Sequence, residues 1–112
     1  MTDRIAPLAS ISINCPDADE LATFYRQLLG LEEAFAMPDR SVIALSGAGP
    51  MLTLMRVDGY VAPSWPSDGG QLHLDLAAED LDADVAAAVA IGAREADFQP
   101  APALCRNTID VS

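Results

Sequence analysis

The chain has 112 residues, with 17 acids against six arginines and no lysine, for a formal net charge of −11. That length suits one compact domain whose modest core needs neither disulfide nor metal for support, and that charge repels phosphate backbones and anionic lipid, so nucleic acid and membrane surfaces are excluded as partners. Met1-Thr2-Asp3-Arg4 does not begin an export signal and no stretch nears ~20 uninterrupted apolar residues, so a cytoplasmic location is expected.

Residues 8–14 alternate, Ile11 and Ile13 on one side and Ser10, Ser12 and Asn14 on the other, the period of a half-buried strand closed by Pro16. Asp17 is a good N-cap and Glu20, three residues on, completes a capping box. Leu21, Phe24, Tyr25, Leu28 and Leu29 form one helical stripe, and Gly30 supplies a left-handed residue to end it. Strands follow at about 31–37, 41–46 and 51–57, separated by Pro38-Asp39-Arg40 and Gly47-Ala48-Gly49-Pro50, both of turn composition. The second of these turns precedes a strand and has no Lys-Ser/Thr pair, so it is not a phosphate loop.

Asp58 to Gly70, with Pro63, Pro66, Gly69 and Gly70, is a connector carrying the only tryptophan, Trp65. A second strand then sets Gln71, His73 and Asp75 on one face against Leu72, Leu74 and Leu76 on the other. Asp80 caps a helix whose inward residues are Leu81, Val85 and Val89 and which Gly92 ends. Strands are expected at about 94–98 and 104–109. Cys15 and Cys105 are distant thiols without CxxC spacing, which suggests neither a zinc knuckle nor a redox pair.

The chain is therefore written twice. The Ser10–Ile13 strand and Asp17 recur 63 residues later as His73–Leu76 and Asp80, and Gly30 recurs as Gly92 after 62. So long a period marks two copies of one β-α-β-β-β unit that pack together rather than a solenoid. The expectation is a single α+β domain over 1–112, with module one at about 5–57, a linker at about 58–70 and module two at about 71–112, the second lacking its last strand.

That duplication, the Phe24-Tyr25…Leu28-Leu29-Gly30-Leu31 stretch and the Leu72-His73-Leu74-Asp75-Leu76…Glu79-Asp80-Leu81…Gly92-Ala93 stretch resemble the glyoxalase/bleomycin-resistance/extradiol-dioxygenase, or vicinal oxygen chelate, superfamily. Arg56-Val57-Asp58-Gly59-Tyr60…Pro63…Trp65-Pro66 leading into His73-Leu74-Asp75 is similar to its glyoxalase-like domain group. The resemblance implies two paired βαβββ modules forming a cupped mixed sheet with helices outside, a divalent metal or small organic ligand in the cup, and a homodimer. It further implies that Cys105 to Ser112 precedes a closing strand, whose absence would leave an open sheet edge.

Metal-dependent members carry ligands on the first and last strand of each unit. The matching positions are Ser10, His73 and about Thr53, the fourth falling beyond Ser112, and His73 alone is a competent ligand. Catalytic metals generally need three protein ligands, so a metal-free binder of a small organic molecule is the leading expectation. Its site residues are Ser10, Ser12, Asn14, Thr53, Trp65, Gln71, His73 and Asp75. The alternatives are a divalent-metal lyase, isomerase or dioxygenase with His73 as one ligand, and a degenerate scaffold.

Each residue has a plainer reading. His73 is a ligand or general base, or a polar residue bonded within the sheet. Asp75 polarises His73 or faces water. Trp65 stacks on a ligand or plugs the seam between the halves. Met51, Thr53 and Met55 share one strand face, as an adaptable wall of the cup or as core.

Overall fold

The computed structural model describes residues 5–62, 74–95 and 108–111. The chain divides into two compact units, Met1–Ala62 and Pro63–Ser112. The first runs β1 (Ser10–Cys15), α1 (Ala18–Leu29), β2 (Glu32–Ala36), β3 (Val42–Ser46) and β4 (Met51–Arg56), the β-α-β-β-β order that the alternation and turn residues predict.

Local chemistry sets the start. Pro16 has no N–H to continue a ladder, and Asp17, extended at φ −140°, accepts a hydrogen bond from the Glu20 amide at 3.1 Å, so α1 begins at Ala18. Gly30 closes the helix in the left-handed region at φ 67°, its amide and that of Leu31 both donating to the Arg26 carbonyl. The strands order as β1-β4-β3-β2. β4 is parallel to β1 and antiparallel to β3, which is antiparallel to β2.

One face of this sheet lies under α1, which packs on β3 and β4. Ile43, Leu45 and Leu54 are fully buried there beside Leu52 and Cys15, and each such aliphatic contributes about 1.5–3 kcal/mol by leaving water. The helix meets them with Ala18, Ala22 and Tyr25. This corrects the expected stripe: the small alanines let the helix settle on its own centre line, and Leu21, Phe24, Leu28 and Leu29 lie half-buried along its margins. The first strand also begins two residues later than expected, at Ser10, and Leu8 stands in solvent.

The second unit contains β5 (Leu74–Ala77), α2 (Leu81–Ala90) and β6 (Thr108–Val111). Asp80 caps α2 as Asp17 caps α1, accepting from the Ala83 amide at 3.2 Å. Gly92, at φ 122°, allows its own amide and that of Ala93 to turn back onto the Val89 and Ala88 carbonyls. Val89 is 45% exposed and Ala88 is buried, so the inner face is Leu81, Val85 and Ala88, a correction to the expected Val89. Helical geometry gives the reason: Ala88 stands about 20° round the axis from Leu81, whereas Val89 stands about 80° away.

β6 pairs antiparallel with β5, Leu74 opposite Val111 and Asp75 opposite Asp110. Of the strands expected at 94–98 and 104–109, Arg94 and Glu95 belong to no regular element and β6 begins only at Thr108; residues 96–107 lie outside the described residues. No helix among the described residues is long and apolar enough to cross a membrane.

Candidate functional site

The second face of the first unit's sheet carries the polar residues singled out in the sequence. Parallel register pairs Ser10 with Met51, Ser12 with Thr53 and Asn14 with Met55, and paired residues share a face. Ile11 and Ile13 pair with Leu52 and Leu54 on the side under the helix. The side chains of β1 therefore separate as their period of two requires. Antiparallel pairing of β3 with β4 adds Val42 and Ala44 to the open face, opposite Met55 and Thr53.

β2 departs from simple alternation. Glu33 pairs with Leu45 but Phe35 pairs with Ala44, a register shift with Ala34 as the extra residue. Glu33 consequently turns to the helix side, while Glu32, opposite Ser46, and Phe35 share the open face. Met37, whose amide donates to the Val42 carbonyl at 2.9 Å, continues that row. Phe35, Met37 and Met55 are 55%, 43% and 37% exposed. Glu32, Phe35 and Met37 escape a sequence reading because the inserted residue flips the parity of every position after it.

The electrostatics of the two faces differ. On the helix side the Arg40 guanidinium bonds Asp19 at 2.7 Å and Glu33 at 2.8 Å. Arg40 sits at the β2–β3 turn with φ 61°, a conformation that L residues other than asparagine and aspartate rarely adopt. Hydrogen bonds from Arg40 hold the Glu33 carboxyl below its ordinary range, and those carboxylates raise the guanidinium in turn. Asp39 is held low chiefly by the Ser41 hydroxyl, which donates to it at 2.6 Å, and by the Ser41 amide. Burial pushes the Cys15 thiol and the Tyr25 phenol up, so neither is a nucleophile or base at neutral pH.

At the superfamily's metal positions the first unit offers Ser10 and Thr53. Their hydroxyl oxygens lie 2.7 Å apart in a mutual hydrogen bond in which either can donate. Two neutral hydroxyls that satisfy each other do not fit a catalytic divalent ion, which takes carboxylate, imidazole or thiolate. Among the described residues no group of three or more His, Cys, Asp or Glu is placed to hold a metal. Asp75 is exposed on β5 between half-buried Leu74 and Leu76. Trp65, Gln71 and His73 lie outside the described residues.

A mixed four-stranded sheet with parallel outer pairing, built by a β-α-β-β-β unit within an α+β chain, is the class defined by this geometry. The glyoxalase-like domain profile matches residues 10–108. The chain belongs to that family, within the vicinal oxygen chelate superfamily. No curated protein matches the sequence.

Among solved structures, a gene product from Arabidopsis thaliana is 19% identical with a TM-score of 0.54, over 91% of this chain and 82% of that one. A V. cholerae integron cassette protein is 16% identical with a TM-score of 0.50, over 98% and 86%. The lactoylglutathione lyase from Agrobacterium tumefaciens is 20% identical with a TM-score of 0.42, over 60% of this chain, which spans only 50% of that one. For the Arabidopsis and V. cholerae proteins the likeness is one of fold alone.

Proposed function

We propose that this protein binds a small organic molecule on the open face of its first unit, without a catalytic metal. The observation that carries the reading is the Ser10–Thr53 hydroxyl pair at 2.7 Å. One hydroxyl of the pair keeps a free proton and both keep lone pairs, so the pair can donate to or accept from a neutral polar group. Ser12 and Asn14 extend this polar column along β1, and the exposed Phe35 and Met55 supply apolar contact beside it. A few convergent polar groups beside an adaptable apolar surface are the usual makings of a small-molecule site. Trp65, Gln71, His73 and Asp75 enter the proposal as further ligand-binding residues.

A thermal-shift screen with aromatic and thiol metabolites tests it, since a ligand held at about 100 times its Kd adds roughly 2.7 kcal/mol to stability. The expected result is a saturable rise in Tm that Ser10→Ala and Thr53→Val each diminish. Elemental analysis of the purified protein tests the metal-free part. Stoichiometric Fe, Mn, Ni or Zn that vanishes in His73→Ala would overturn the metal-free reading in favour of the alternative, a metal-dependent lyase, isomerase or dioxygenase with His73 as one ligand.

A further inference from the structure

We infer that Asp58 is a site of spontaneous covalent modification, where the chain isomerises to isoaspartate through a cyclic imide formed with the Gly59 nitrogen. The inference is independent of the small-molecule reading. Asp58 and Gly59 form the centre of a turn just after β4, closed by the Tyr60 amide donating to the Val57 carbonyl at 3.2 Å. Gly59 has φ 73° and Asp58 a negative φ, which makes this a type II turn with glycine where that type requires it.

The reacting groups are accessible to each other. The Asp58 side chain is 99% exposed, and the Arg56 Nε stands 3.9 Å from its carboxylate, too far for a hydrogen bond, so the carboxyl is free to turn towards its own main chain. A Cβ built on Gly59 would meet nothing within 4 Å, so the turn has room to rearrange. Ring closure needs the Asp58–Gly59 peptide plane to rotate until the nitrogen faces the carboxyl carbon. That plane is the central one of the turn, whose rotation distinguishes turn types while the ends stay in place, and glycine follows it through either sign of φ without steric cost.

Other aspartates are held differently. Asp17 and Asp80 accept the Glu20 and Ala83 amides as helix caps, and Asp84 accepts the Glu79 amide. Asp19 carries the Arg40 guanidinium, and Asp39 accepts both the amide and the hydroxyl of Ser41. Ala18, Leu81, Val85, Glu20 and Arg40 follow these aspartates in the chain, and each sets a Cβ beside the nitrogen that would attack. Asp58 differs on both counts: its carboxyl stands in solvent, and the next residue has no side chain.

The reaction balances with water alone. The Gly59 nitrogen attacks the carbon of the protonated Asp58 carboxyl, a C–N bond forms, and a carboxyl C–O bond breaks to release water that carries away the amide proton. Water then opens the cyclic imide. Attack at the side-chain carbonyl regenerates aspartate, whereas attack at the main-chain carbonyl leaves the chain running through the side chain, with a free α-carboxylate. The main chain thereby gains a methylene just beyond the last hydrogen bond between β1 and the β4 segment, from the Val57 amide to the Cys15 carbonyl at 2.8 Å. The sheet is expected to survive the change, and the new α-carboxylate is the group on which isoaspartyl carboxyl methyltransferases act.

Prolonged incubation of the full chain at neutral pH, followed by proteolysis and electron-transfer fragmentation in a mass spectrometer, locates isoaspartate at single residues. Asp58 is expected to accumulate it at least about tenfold faster than Asp17, Asp39 or Asp80. Asp58→Asn is expected to convert faster than the parent, because ammonia replaces water as the leaving group, and Gly59→Ala to convert more slowly. Alanine also strains the positive φ, so Asp58→Asn decides the matter if Gly59→Ala fails to fold. Conversion at Asp58 no faster than at Asp39 overturns the proposal, as does an Asp58→Asn protein that keeps its amide. Asp68-Gly69, outside the described residues, is an internal reference: isoaspartate there with none at Asp58 overturns the proposal too.

Discussion

The two units share a β-α opening and differ in what is paired with the first strand. Asp17 and Asp80, 63 residues apart, make the same cap, and the buried helix positions Ala18, Ala22 and Tyr25 recur at that spacing as Leu81, Val85 and Ala88. The large side chain moves from the last position of the triplet to the first, so volume is redistributed along the helix while its buried face stays the same. Beyond the helix the units diverge. β1 has β4 as a parallel neighbour, and β5 has β6 as an antiparallel one. A shift of 63 residues sets the start of β6 on the end of β3, which is antiparallel to β4 and hence to β1. β6 thus has the direction of β3 but is neighbour to the unit's first strand, as β4 is in unit one. The β-α opening is the invariant part of this repeat, and the pairing of the first strand is the part that varies.

The sharpest way to break that comparison is to truncate each unit's sheet. Leu54→Ala, at a fully buried centre, is expected to cost about 2–5 kcal/mol in urea denaturation. Leu76→Ala, on the half-buried face of β5, is expected to cost about half as much. Equal losses would mean that the second unit has a core as closed as the first. The α2 face is tested next: Ala88→Leu overpacks a buried position and should cost about 1–3 kcal/mol. Val89→Ser, on the exposed side, should stay within about 0.5 kcal/mol. A reversal of that order would restore Val89 to the inner face.

Asp17→Ala and Asp80→Ala are each expected to lose about 1 kcal/mol, and their equality measures how far the repeat holds at the caps. The smallest effect belongs to the Arg40 contacts, which have no counterpart among the described residues of unit two. Glu33 and Asp39 are held low in the folded state, so their contribution is complete above their ordinary values near 4.5 and 3.8 and is lost as pH falls through and below them. Tm should therefore drop below about pH 4.5, less steeply in Arg40→Ala than in the parent protein. Arg40→Gly loses the same ion pairs but relieves the positive φ, and is expected to melt above Arg40→Ala.

The opening of each unit was legible because its signals are local. A capping aspartate three residues from the amide it accepts and a glycine at the helix end need no tertiary information in either unit, and Pro16 adds a strand stop in the first. The open face of β1 was legible for the same reason, through alternation alone. The face of β2 was not: parity joins Glu33 to Phe35, and a single inserted residue, invisible in composition, separates them. Arg40 was read only as part of a turn, since its partners lie 21 and 7 residues away and a left-handed arginine runs against residue preference. Ser10 and Thr53 were each assigned to the cup, but their mutual bond depends on the parallel register of two strands remote in sequence.

That remoteness has a kinetic consequence. Ser10 and Thr53 are 43 residues apart, and bringing them together fixes one large loop, whereas β2, β3 and β4 are joined by short hairpins. Closure entropy grows with the length enclosed, and long-range parallel contacts slow the search for the native state. The β1–β4 ladder is accordingly expected to form late in the assembly of the first unit, with low φ-values at Ser10 and Thr53 as the check. A serine and a threonine that clasp across it act on the barrier to unravelling more than on the speed of collapse.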